Sequence, residues 1–138
     1  MTTSMRKLVS MAAGVAALLA GGALVAQTPA LQRTIVTKAD VSVPGREAVI
    51  AKVEIAPGGI AGWHTHPGDE ISYIQEGESE LMVAGQPNRI VKAGEGFVIP
   101  AGVVHNARNS GSTPTRLVGV YVVEKGKPLA SPAEAPKQ

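Results

Sequence analysis

Residues 58–77 read Gly-Gly-Ile-Ala-Gly-Trp-His-Thr-His-Pro-Gly-Asp-Glu-Ile-Ser-Tyr-Ile-Gln-Glu-Gly. His64 and His66 are two apart, and on a β-strand residues two apart project from the same face. Both imidazoles can therefore reach one point. Pro67-Gly68-Asp69 is a turn signal, after which Glu70 opens a new predicted strand and can face back toward that point. His105, the last of the chain's three histidines, stands just past a second turn signal, Pro100-Ala101-Gly102. A lone histidine is more often a surface or satisfied core residue than a ligand. Here two of the three share a strand face and the third follows a turn into a separate strand, and imidazole nitrogens plus one carboxylate oxygen suit a divalent transition ion while leaving coordination positions open.

Outward from this stretch the chain reads as strand after strand. Short runs rich in β-branched residues are predicted at 34–38, 47–56, 62–66, 70–76, 78–83, 89–91, 96–99, 103–109 and 115–123. They are separated by Pro44-Gly45, Pro57-Gly58-Gly59, Gly85-Gln86-Pro87-Asn88 and Gly94, and no segment sustains a helical period. The pattern calls for an all-β sandwich or barrel.

The first stretch matches Gly-x5-His-x-His-x3-Glu-x6-Gly at Gly58, His64, His66, Glu70 and Gly77. After sixteen intervening residues, the stretch from Gly94 to Asn109 matches Gly-x5-Pro-x-Gly-x2-His-x3-Asn at Gly94, Pro100, Gly102, His105 and Asn109. In these two motifs the chain resembles the small single-domain bacterial cupins of the type-2 conserved-barrel family. The resemblance implies a jelly-roll β-barrel over residues 32–125. It also implies one divalent metal ion (Cu, Zn, Fe, Mn or Ni) held inside by His64, His66, Glu70 and His105, and a homodimer formed through outer strands. The strand at 34–38 is the candidate for cross-subunit pairing, because an unpaired edge invites it. The motif glycines supply turn conformations, and Asn109 is expected to tie down a turn.

Composition limits the alternatives. Cysteine is absent, so thiolate ligands and disulfides are excluded. Arg6 and Lys7 precede an apolar run from Leu8 to Ala26. This reads as an export signal cleaved after Ala26, with an uncleaved membrane anchor as the alternative. Of 13 basic and 11 acidic residues, two basics and no acids fall within residues 1–26, so the remainder is neutral and nucleic acid is a poor partner. The expected location is periplasmic or secreted, with no membrane contact after cleavage. Residues 126–138, with three prolines, are expected to be disordered or draped.

Alternation from Glu70 turns Ser72 and Ile74 inward and Tyr73 outward. Val103 and Ala107 share the face of His105, Phe97 can close one end of the barrel, and Trp63 points away from the metal. Tyr121 is a weaker candidate for an inward phenol, with simple packing the plainer role. Asp69 and Glu95 fall in turns. The inferred lining is small and apolar, and the only acid–base candidate is Glu70 itself, if it shifts off the metal. Two functions follow: a metal-dependent, dioxygenase-like enzyme acting on a small organic substrate, or a non-catalytic module for a small ligand or the metal. Export would favour Cu(II) or Zn(II) by the affinity order.

Overall fold

Alternation decides which side chains form the core. In β2 (Arg46–Ile55) every second residue is buried, so Val49, Ala51, Val53 and Ile55 line one face. In β9 (Thr115–Glu124) Leu117, Tyr121 and Val123 do the same, and in β4 (Gly68–Glu76) Glu70, Ser72 and Ile74 do. Each fully buried aliphatic side chain, such as Ile55 or Ile74, contributes on the order of 2 kcal/mol by transfer from water.

The computed structural model describes residues 30–137; the expected export segment 1–26 lies outside the described residues. The other strands are β1 (Leu31–Asp40), β3 (His64–Thr65), β5 (Glu78–Val83), β6 (Arg89–Lys92), β7 (Gly96–Ile99), β8 (His105–Arg108) and β10 (Ser131–Pro132). There is no helix among the described residues. The strands form two five-stranded sheets, β1-β2-β9-β4-β7 and β10-β3-β8-β5-β6, with every pair antiparallel. Their inner faces pack together as the expected jelly-roll barrel. Gly77 is the corner where the chain passes from one sheet to the other. Its φ is +74°, and a side chain there would lie 2.6 Å from the Pro114 carbonyl oxygen, so both backbone and space require glycine.

Three features differ from the sequence expectations. First, β1 starts three residues earlier than predicted, which brings Leu31 and Arg33 into the sheet. It bulges between Ile35 and Thr37, as edge strands often do. Second, β3 is only two residues long, so His66 lies just beyond it. Pro67 brings no N–H to a ladder there. Third, the segment 126–138, expected disordered or draped, carries a short strand. Ser131 and Pro132 pair with β3, the Ala133 N–H donates to the Trp63 carbonyl at 2.9 Å, and Leu129 packs on the core. Its prolines remove few needed donors, because a two-residue strand asks for few.

Asn109 plays the structural part assigned to it. It is fully buried. Its Nδ2 donates to the carbonyls of Ile55 (3.0 Å) and Thr113 (2.7 Å), and its Oδ1 accepts from the Gly111 N–H (2.9 Å). Asn109→Ala strands those three backbone groups, at about 1–3 kcal/mol for each left buried and unsatisfied. Thermal unfolding should show a lower Tm with metal stoichiometry unchanged; a drop in stoichiometry at full folding would contradict this role.

Candidate metal centre

His64 reaches the interior from β3, which pairs His64 directly with His105 of β8. His66 follows before the Pro67 turn, and Glu70 comes in from β4 on the opposite sheet. The four residues sequence reasoning assembled are thus together, with one ligand atom from each within 4.8 Å of the others. Ring centroids lie 4.9 Å (His64–His66), 4.2 Å (His64–His105) and 5.1 Å (His66–His105) apart. His66, Glu70 and His105 are buried, and His64 is half-buried at the site's open side.

The hydrogen bonds around the site fix what these atoms can be. Each Nδ1 faces a backbone carbonyl: His64 that of Gly62 (2.7 Å), His66 that of Leu129 (2.6 Å) and His105 that of Val103 (2.8 Å). Carbonyls only accept, so each Nδ1 carries the proton, and in the neutral ring each Nε2 is left with a lone pair. Glu70 Oε2 lies 2.9 Å from His66 Nε2 and 3.1 Å from His105 Nε2, while its Oε1 accepts from Ser72 Oγ at 2.7 Å. His66 Nε2 is fully buried and not aligned for a hydrogen bond, despite the short distance. Burial lowers the His64 imidazole to about 4, against the opposing pull of the Gly62 carbonyl, so it is neutral at pH 7. Burial alone would raise the Glu70 carboxyl, but the His105 and His66 rings, which pull it down when a ring carries its second proton, and the Ser72 hydroxyl outweigh it and hold Glu70 well below the usual carboxylate range. Three imine nitrogens and a carboxylate therefore converge with no proton assigned between them. That donor set fits a divalent ion, and the carbonyls behind each ring fix the tautomer and orientation such a ligand needs.

The remaining assignments sort cleanly. Ser72 and Ile74 are buried and Tyr73 is 52% exposed, as alternation required. Phe97, Val103 and Ala107 pack on the core. Trp63 lies on the rim of an outer cleft. Asp69 is exposed, and its Oδ1 accepts from the Ala101 N–H; Glu95 likewise accepts from the Lys92 N–H, so both serve turns. Tyr121, opposite Glu70 in the β4–β9 register, is buried with its ring centroid 4.8 Å from that of His66. Its ring lies over Gly119, where a Cβ would come within 2.7 Å of the phenol oxygen. Burial, then the charge of Glu70, pushes the phenol up to about 12, with Arg33 in partial opposition. It is packed and inward at once, and stays protonated at neutral pH.

Two contributors escaped the sequence reading. The Leu129 carbonyl behind His66 belongs to the backbone of a segment expected to be disordered or draped, and no side-chain pattern announces it. Arg33 fell one residue outside the predicted first strand. Its guanidinium lies 5.7 Å from the Tyr121 ring centroid, and extending the alternation of Leu31, Arg33 and Ile35 would have found it.

Comparisons with known proteins agree with this geometry. A family model described as "Cupin domain" matches residues 51–123. A germin-like protein (subfamily 2 member 2) of Arabidopsis thaliana is 36% identical over 95 residues, covering 62% of this chain and 43% of that protein. The chain spans less than half the length of the curated relatives it matches first. Among solved structures, a cupin-like protein from Thermotoga maritima superposes with a TM-score of 0.63 at 24% identity, covering 77% of each chain. An oxalate oxidase in complex with the substrate analogue glycolate superposes with a TM-score of 0.57 at 29% identity, covering 69% of this chain and 52% of that one.

Proposed function

The chain belongs to the cupin family, and on that premise we propose that it is a metal-dependent enzyme that oxidises a small organic substrate with O2. The observation that carries the reading is the set of four convergent acceptors, His64, His66, Glu70 and His105, with its half-buried side at His64 facing a cleft. A divalent ion bound there would supply Lewis acidity and one-electron chemistry. The chain's own part is to hold the donors rigid, exclude water and restrict what enters. The barrel cavity beside His64, Glu70 and His105 is only about 30 Å³, room for roughly one water. The substrate is therefore a molecule of few heavy atoms rather than one of flavonol size. The likeness to an oxalate oxidase supports both the redox chemistry and the size.

Tyr121 is the one inward phenol beside the site. Glu70, hydrogen-bonded and needed as a ligand, is a poorer acid–base candidate than its position alone suggests. Export through residues 1–26 and pairing of subunits through the exposed edge β1 belong to the same proposal. Among the described residues no helix is long and apolar enough to cross a membrane.

The test is elemental analysis of protein purified from its native compartment, then O2 uptake by the metal-loaded protein on a panel of small hydroxy acids, diketones, catechols and flavonols. Uptake confined to the small members is expected. Stoichiometric metal with no turnover across the panel would favour the non-catalytic binding module instead.

A further inference from the structure

Arg33 stands where two spaces meet. It lines the inner cavity together with His64, Glu70 and His105, and it also lines the outer cleft of about 300 Å³ at Trp63. Its Nε is buried and has no hydrogen-bond partner among the described residues. No salt bridge forms to its guanidinium among the described residues, and apart from the ligand residues and Tyr121 its inner surroundings are apolar, Leu31 and Phe97 among them.

Three neutral imidazoles and one carboxylate would leave a bound divalent ion with one net positive charge, and Arg33 adds a second. A buried guanidinium donor without an acceptor is costly, and two like charges in an apolar space compound the cost. An anion with two oxygens in a plane removes both penalties, because the guanidinium fork matches a carboxylate.

We infer that Arg33 is the anchor for the carboxylate of a small organic acid, which it receives from the outer cleft and holds beside the His64–His66–Glu70–His105 centre. This rests on the reading of those four residues as a metal site and deepens it by naming the substrate class. Arg33 lies outside the matched span 51–123. On this reading the chain's selectivity comes from its own N-terminal strand, while the ligand set comes from the shared domain.

The experiment is calorimetric titration of metal-loaded, full-length protein with glycolate and with ethylene glycol, which share a size and a hydroxyl and differ in the carboxylate. Glycolate should bind and ethylene glycol should not. Arg33→Gln should weaken glycolate binding at least about tenfold (~1.4 kcal/mol), and Arg33→Lys should recover only part of it, since an ammonium keeps the charge but not the fork. Metal content, measured on each sample, should be equal in all three proteins. Glycolate affinity unchanged in Arg33→Gln, or ethylene glycol bound as tightly as glycolate, would overturn the inference. Because binding is read at equilibrium, absence of turnover would count against the proposed oxidation and not against the anchor. Absence of metal in the wild-type chain would instead strike at the ligand assignment.

Discussion

Glu70→Gln is expected to leave a folded protein that binds essentially no divalent metal. Glu70 is the only anion among the four ligands, so the substitution removes the attraction that offsets taking a doubly charged ion into a buried site. The fold should not suffer. Gln keeps the shape and the Oε1 that accepts from Ser72, and its new amide N–H can donate to the Nε2 lone pair of His66 or His105, which now lie 2.9 and 3.1 Å from a carboxylate oxygen. Burying an amide also costs less than burying a charge. Metal-free Glu70→Gln should therefore melt at or above metal-free wild type. The contrast appears when metal is added. At a thousandfold excess over Kd, wild type gains about 4 kcal/mol, which for a domain of roughly 100 residues is a rise in Tm on the order of 15–30 °C; Glu70→Gln should gain almost none. Differential scanning calorimetry with and without chelator, beside elemental analysis, reads both effects. One metal per chain retained in Glu70→Gln would remove Glu70 from the ligand set.

How far the centre could be read beforehand depended on which residues carried the information. The two long motifs put His64, His66, Glu70 and His105 on strands of known parity, and period-two alternation needs only local sequence. For the same reason the inward Ser72 and outward Tyr73 were legible. Partners that depend on register between distant strands were not. Tyr121 meets His66 and Glu70 because β9 lies beside β4 in a particular register, which no local pattern specifies. The phenol has room only because Gly119, two residues earlier on the same face, has no side chain. Arg33 was lost by a strand boundary drawn three residues late, and boundaries are where propensity arguments are weakest. The Leu129 carbonyl is a backbone atom, identical in every residue, and its role exists only because the chain's end returns to β3.

That return supports the other large effect expected. Ending the chain after Lys125 should weaken metal binding by about 10–100-fold, the usual consequence of removing a group that orients a ligand from behind. β3 carries His64 and leads into His66, yet it is two residues long. It is held by a single pairing to β8 on one side and by Ser131 and Pro132 of β10 on the other. Truncation frees that edge, removes the Ala133-to-Trp63 hydrogen bond and takes away the carbonyl that fixes the His66 Nδ1 proton. The His66 ring can then turn, or adopt the tautomer that places a proton on Nε2 and blocks the metal. The large pairings of β2, β9 and β4 do not involve this segment, so the truncated chain should still fold. Full-length Leu129→Ala separates the two roles of that residue. It loses the side chain that packs on the core but keeps the carbonyl, so it should melt lower while binding metal nearly as tightly as wild type. Competition with a chelator of known affinity measures all three proteins. Wild-type affinity in the truncated chain would mean that β3 and the Pro67 turn orient His66 unaided. A loss in Leu129→Ala as large as in the truncation would assign the effect to packing and not to the carbonyl.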